Sequence, residues 1–236
     1  FVKSMRWNES GVAFSRPVRW LVALLGDQVV PFEYAGVQSG RVTRGIRPGG
    51  SQPCALARVA AYDPFIAEQG IVLDVQGREA AISARARELA AQVGGEPGSD
   101  AALLREVANL VEGPVPILGS FDESYLSLPD AVLLAVMQKH QRYLPVISDG
   151  RLLPYFVAVA NGAQLDVEAV REGNQEVLRA RYADAAFFYA ADTRRPLEDV
   201  TQQLDTLAFQ ENLGSVLDKV HRLERLVPDI CELLSL

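Results

Sequence analysis

Met137-Gln138-Lys139-His140-Gln141-Arg142-Tyr143-Leu144-Pro145-Val146-Ile147-Ser148-Asp149-Gly150 is the stretch on which the fold class turns. Upstream of it, Pro129–His140 starts on proline, which favours the first helical position, and reads as a helix. Gln141–Ser148 and Leu153–Ala160 read as two strands. Asp149-Gly150 between them is a turn signal of the hairpin kind. A helix therefore hands over directly to a strand pair.

Working outward, strands and helices continue to interleave. Arg16–Leu25 is a strand candidate, Gly26-Asp27-Gln28 a turn, and Val29–Ala35 its hairpin partner. Gln38–Arg44 can add a third strand. Arg47–Pro53 is too rich in Pro and Gly for regular structure and predicts a loop. Ala55–Tyr62 fits strand and helix alike. Asp63-Pro64 opens a short helix that stops at Gly70, and Ile71–Val75 reads as a strand. Gly77–Val93 is helical by its Ala, Arg and Glu content. Gly94–Ser99 is a linker, Asp100 caps a helix through Val111, and Pro114–Gly119 is an apolar strand. Asp166–Ala191 is a long helix with a break candidate at Gly173. From Pro196 the chain reads as helices only: Val200–Phe209, Leu213–Leu226 and Pro228–Leu236. The absence of a strict βαβ rhythm predicts an α+β fold, not a doubly wound sheet. The expected domains are residues 1–195, mixed in strand and helix, and residues 196–236, helical.

Composition narrows the function classes. The chain has 236 residues, 49% hydrophobic and 22% charged, as an ordinary globular protein does. No run approaches the ~20 apolar residues of a membrane span, so no membrane association is expected. The cysteines are Cys54 and Cys231 and the histidines His140 and His221. No disulfide framework, CxxC metal site or His-rich metal site can be built from these, and a reducing cytoplasm fits. The chain opens on Phe1 and closes on an apolar, helix-like Cys231–Leu236, which suggests a piece of something larger.

Net charge is −7, which by itself speaks against nucleic acid. Its distribution says more. Residues 1–60 carry eight basic and three acidic side chains; the remainder carries 15 basic and 27 acidic. A basic N-terminal quarter permits a local phosphate-facing patch, although a solvated sheet face would look the same.

Three stretches break their local pattern. In Ser39-Gly40-Arg41-Val42-Thr43-Arg44-Gly45-Ile46-Arg47, arginines three apart alternate faces of a regular strand, so they cannot all line one surface. In Met137–Tyr143, Lys139, His140, Arg142 and Tyr143 suit phosphate contact and base stacking. The same Lys and His would also complement a helix dipole. In the helix from Asp166, a 100° periodicity puts Val167, Val170, Val177, Leu178, Ala185 and Phe188 on one face. Asn174, Arg181 and Asp184 fall inside that stripe. Arg181 and Asp184 are three apart and can pair, and buried charges need such partners. This polar cluster is expected to hold the helix on the sheet or to meet a ligand.

The same stretches carry a family resemblance. Phe14-Ser15-Arg16-Pro17-Val18-Arg19-Trp20-Leu21-Val22-Ala23-Leu24 and Ser39–Gly45 resemble the β subunit of bacterial glycyl-tRNA synthetase. So do Leu110–Val115 with Gly119–Asp122, and Met137–Tyr143 leading into Gly150–Phe156 and Asn161-Gly162. Gly173–Ala185 with Phe187-Phe188 and Asp192, then Leu213–Arg222, complete the series in order. The family usually carries Gly-His-Arg where this chain has Gly45-Ile46-Arg47, and Phe where Leu144 stands.

The resemblance implies that glycine is activated with ATP and Mg on the separate α subunit. The β subunit contributes tRNA recognition and is needed for charging. It implies an N-terminal region similar to the editing-type domain of the phenylalanyl synthetase β subunit. A helical domain related to His-Asp phosphohydrolases follows, and residues 196–236 would be its start. No cofactor or metal is expected in this piece. The implied partners are tRNA specific for glycine, the α subunit and the rest of the β subunit. Arg41, Arg44, Arg47, Lys139, His140, Arg142 and Tyr143 are the tRNA-binding candidates, with no catalytic residue expected. Two other readings stay open: a purely structural module of the synthetase, and an editing-type hydrolase of mischarged tRNA with His140 as its base.

Overall fold

The computed structural model describes residues 3–47, 50–98, 100–162 and 165–235. Pro48-Gly49 of the expected loop, Ser99 of the expected linker and Leu236 of the expected last helix lie outside them. The chain divides into two compact units, Phe1–Tyr182 and Ala183–Leu236, so the boundary expected at 195/196 falls inside the second.

The first unit begins with short strands. β1 (Met5–Arg6) pairs with β2 (Ala13–Phe14). β3 (Leu21–Val22) is followed by β4 (Leu24–Leu25), which forms the expected hairpin with β5 (Gln28–Val29) across Gly26-Asp27. β6 (Glu33–Tyr34) pairs with β7 (Val37–Gly40), which also runs parallel to β3. The expected third strand is broken at Arg41. Beyond it β8 (Val42–Arg44) pairs with β9 (Pro53–Ala55) instead.

Helix α1 (Tyr62–Glu68) ends beside Gly70 as predicted. No strand follows: Ile71–Asp74 has no regular secondary structure. Its polar backbone is satisfied elsewhere. The Val72 N–H donates to Glu112 O at 2.8 Å, and the Arg78 guanidinium donates to the carbonyls of Val72, Leu73 and Ala108. α2 (Val75–Ala91) starts on Asp74, whose carboxylate accepts from the Gly77 N–H. β10 (Glu96–Pro97) leads to α3 (Ala101–Leu110), capped by Asp100 as the sequence predicts.

β11 (Pro114–Ser120), β12 (Leu144–Ser148) and β13 (Arg151–Asn161) join β10 in an antiparallel sheet of order β10-β12-β13-β11. Asp149 and Gly150, with φ of 49° and 75°, make the β12–β13 turn. Two successive positive φ values suit the right-handed twist of a hairpin and favour an Asp-Gly pair.

Alternation along the strands separates two faces. Leu144, Val146 and Val157 face α2 and α3, meeting Ile82, Ala86, Leu89, Leu103 and Val107 in the main core. Phe156, on the opposite pleat, stacks on Tyr143 at 4.7 Å and 17°. That side is covered by α4 (Asp130–Leu134) and by the first part of α5 (Val167–Asp192). Leu178 and Tyr182 of α5 are buried, and the Tyr182 hydroxyl donates to Leu133 O at 3.3 Å. Phe121 and Tyr125 pack their rings on Tyr182. A mixed α+β architecture results, with the sheet antiparallel.

Two helix expectations change. Gly173 does not interrupt α5. The buried line of α5 also differs from the expected stripe: Val167, Val177 and Phe188 are exposed. Tyr182, one turn beyond Leu178, is the anchor.

In the second unit, α6 (Leu197–Thr201) passes into a short 3₁₀ turn, Gln202–Thr206. The expected helix to Phe209 then gives way to β14 (Ala208–Gln210), paired with β15 (Gly214–Ser215), so this segment is not wholly helical. α7 (Val216–Leu234) runs through Pro228 without the expected break. Its start is fixed by a reciprocal capping box: Ser215 Oγ accepts from the Asp218 N–H at 3.1 Å, and Asp218 accepts from the Ser215 N–H at 2.9 Å.

Candidate nucleic-acid interface

The basic N-terminal quarter folds so that its arginines take different tasks. Arg41 sits at the break between β7 and β8. It donates to the carbonyls of Leu56 and Ala57, both at 3.2 Å, and of Asp27 at 3.0 Å. It therefore ties the β4–β5 turn to the segment after β9. A guanidinium fork holding three carbonyls is committed to the fold.

Arg44 points the other way. Along β8, Thr43 is buried while Val42 and Arg44 are exposed, as strand alternation requires. Arg44 donates to Ser51 O at 3.1 Å, and its guanidinium lies 5.7 Å from the centroid of the Trp20 ring. This is a cation–π distance. Arg19, Trp20, Arg44, Arg47, Gly50 and Ser51 line an open hollow of about 460 Å³. Trp20 remains 40% exposed. Arg19 and Arg47 are exposed, and their side chains make no hydrogen bond or ion pair among the described residues. No carboxylate is in the lining. The hollow thus concentrates positive charge beside an aromatic surface.

The second group stands where the helix hands over to β12. α4 continues as a wide, π-type turn over Ala135–Gln141 and ends at Arg142, which is left-handed with φ of 59°. Such turns are rare and often sit at functional positions. Lys139 and His140 are exposed on its last turn, beside the carbonyl end. Arg142 closes that end itself. Its guanidinium donates to Lys139 O at 2.7 Å, to His140 O at 3.3 Å and to Glu106 at 2.9 Å.

Tyr143 is inside the molecule, 6% exposed. Its ring stacks on Phe156, and its hydroxyl donates to Asn174 Oδ1 at 2.6 Å. Burial pushes the phenol up to about 12. Base stacking, proposed for Tyr143 on residue type, is closed to it because its surface is already packed. Asn174 is half-buried, and its amide also donates to Val170 O at 2.8 Å. Arg181 and Asp184 are exposed, and their side chains make no hydrogen bond or ion pair among the described residues. The expected polar cluster therefore reduces to Asn174, joined to Tyr143. Among the described residues no group of His, Cys, Asp and Glu could hold a metal ion, and no helix is long and apolar enough to cross a membrane.

A sequence model described as glycyl-tRNA synthetase beta subunit matches residues 1–236. The chain belongs to that family. A glycine–tRNA ligase beta subunit from Clostridioides difficile is 43% identical over all of this chain, which spans 34% of the relative. One from Halothermothrix orenii is 45% identical over 99% of the chain, again 34% of the relative. A chloroplastic/mitochondrial glycine–tRNA ligase of Arabidopsis thaliana is 47% identical over 98% of the chain, 22% of its own length. The chain therefore spans about a third or less of these relatives.

Within this member of the glycyl-tRNA synthetase beta family, Ile46 occupies the place of the histidine expected in the Gly-His-Arg pattern. It is 5% exposed and its Cδ1 lies close to Gly113. A buried isoleucine can contribute only packing there. Trp20 and Arg19 were not among the expected binding residues. The signal for them was present: an Arg-Trp pair at the start of a strand inside the basic quarter.

Proposed function

We propose that this chain is a tRNA-handling region of the beta subunit of a glycine–tRNA ligase, and that glycine is activated elsewhere, on the alpha subunit with ATP and Mg. The supporting observation is the hollow that sets Arg19, Arg44 and Arg47 around Trp20 in a chain of net charge −7. In an acidic chain an unpaired cationic pocket draws phosphate locally. Arg44, Arg47 and Lys139 are the outward cations of the expected set and, with the exposed His140, face the RNA. Arg41, Arg142, Tyr143 and Asn174 hold the surface in shape. The partners are tRNA specific for glycine, the alpha subunit and the rest of the beta subunit, and the setting is the cytoplasm. Residues 1–195 take the part of an editing-type domain such as that of the phenylalanyl synthetase beta subunit, used here for binding. Residues 196–236 open a His-Asp phosphohydrolase-like helical domain.

A second reading is favoured by one observation. Helix α7 exposes Leu223, Leu226, Val227 and Ile230, each near half of its surface or more. A patch of that kind marks an interface, here with the rest of the beta subunit. This structural role is compatible with tRNA handling.

The test is the salt dependence of tRNA binding. Arg47→Ala and Lys139→Ala should each flatten the log–log slope by roughly 0.7–0.9, one phosphate apiece. Unchanged affinity and slope in both variants would remove the reading.

A further inference from the structure

We propose that the hollow between β3 and β8 is a subsite for one unpaired nucleotide of RNA, with Trp20 and Arg44 receiving the base and Arg19 and Arg47 the flanking phosphates. This rests on the tRNA-handling reading above and names what that surface takes.

The size selects a single nucleotide. About 460 Å³ lies in the range of small-ligand sites, ~300–1,000 Å³, and is too small to seat a duplex. The chemistry selects an unpaired base. Trp20 offers an indole with 40% of its surface open, and the Arg44 guanidinium lies 5.7 Å from its centroid. Indole and guanidinium planes are the surfaces on which splayed bases stack, while a base inside a helix keeps its faces against its neighbours. Charge selects the polymer's phosphates. The guanidinium groups of Arg19 and Arg47 stand at the same hollow without partners among the described residues, and no carboxylate is in the lining.

Arg44 is held in this posture by its own hydrogen bond to Ser51 O at 3.1 Å. That bond uses one donor and holds the guanidinium over the Trp20 ring. The loop is anchored by Ser51 N–H to Ile46 O at 3.1 Å and Gly45 N–H to Gln52 O at 3.1 Å. The buried Ile46 side chain pins it from below. The platform is thus pre-arranged before RNA arrives, which lowers the ordering cost of binding.

The indole reports on its own occupancy. The chain has two tryptophans, Trp7 and Trp20, so Trp7→Phe leaves Trp20 as the sole indole fluorophore. The experiment titrates that variant with a short unstructured RNA, with a blunt RNA duplex and with AMP, and follows binding separately by anisotropy of labelled glycine tRNA. Should Trp7→Phe fold poorly, the difference between the wild-type chain and Trp20→Phe gives the same signal. We expect saturable quenching of Trp20 by the unstructured RNA and none by the duplex. Trp20→Ala and Arg44→Ala should each weaken the unstructured RNA about 5- to 150-fold. Arg19→Ala should flatten the salt slope by about 0.7. If tRNA binds while Trp20 fluorescence is silent and Trp20→Ala changes nothing, the subsite is overturned and the tRNA reading survives. If AMP quenches with the affinity of the RNA, the site takes free nucleotide and the RNA assignment is overturned. If tRNA does not bind at all, both fall.

Discussion

Replacing Tyr143 by phenylalanine separates two roles that the residue could have. The structure gives it a scaffold role: its hydroxyl donates to Asn174 Oδ1 at 2.6 Å, and its ring stacks on Phe156 at 4.7 Å. Tyr143→Phe keeps the stack and deletes the donor. A neutral hydrogen bond contributes roughly 0.5–1.5 kcal/mol, and a fully buried orphan acceptor costs roughly 1–3 kcal/mol. Asn174 is half-buried, so water can reach part of its amide, and the lower range applies. The expected loss is about 1–1.5 kcal/mol. In a urea melt that moves the midpoint down by about 0.5 M with the slope unchanged. Asn174→Ala should cost a similar amount, and the double variant less than the sum, with a coupling of about 1 kcal/mol. The affinity for tRNA should stay where it was. A stability change below about 0.3 kcal/mol, strict additivity, or a fall in tRNA affinity without a fall in stability would refute the inward placement.

Further consequences can be checked on the same preparations. Between pH of about 10 and about 12 an unfolded tyrosine has lost its proton while Tyr143 in the fold retains it, so stability falls as pH rises through that window. Tyr182 is shifted in the same direction by burial, and Tyr143→Phe should lose less stability than the wild type across the window in pH-jump melts. Gly119→Ala would place a Cβ 2.5 Å from Phe156 Cζ, on a ring only 1% exposed, and thermal melts should show about 1–3 kcal/mol of destabilisation. Arg41→Lys cannot reproduce a fork that reaches three carbonyls. It should lower stability by about 1–3 kcal/mol in urea melts. Arg44→Ala should leave stability within about 0.5 kcal/mol.

How far the fold could be read in advance depended on whether the deciding interaction was local. The Asp149-Gly150 hairpin, the Asp100 cap and the Gly26-Asp27 turn were legible because each is settled by a few adjacent residues. Tyr143 was not, since its direction depends on the left-handed Arg142 before it and on Phe156 and Asn174 far along the chain. The phasing of α5 failed for a related reason. Counting aliphatic positions placed Arg181 and Asp184 in the buried stripe, whereas the helix is anchored by an aromatic, Tyr182, against Leu133, Phe121 and Tyr125. Strand alternation correctly warned that Arg41 and Arg44 would part company. It could not show that Arg41 closes on Leu56, Ala57 and Asp27, or that Arg44 meets Trp20. The β14–β15 pair was hidden by a composition that suits helices equally well.

The most direct measurement is a titration of the chain with glycine-specific tRNA beside an unrelated tRNA, at two salt concentrations. Tighter binding of the glycine tRNA that weakens steeply with salt, and is impaired by Arg44→Ala and Lys139→Ala, is the predicted result. A folded chain that binds neither tRNA, or both equally with no response to these variants, would contradict a tRNA-handling surface.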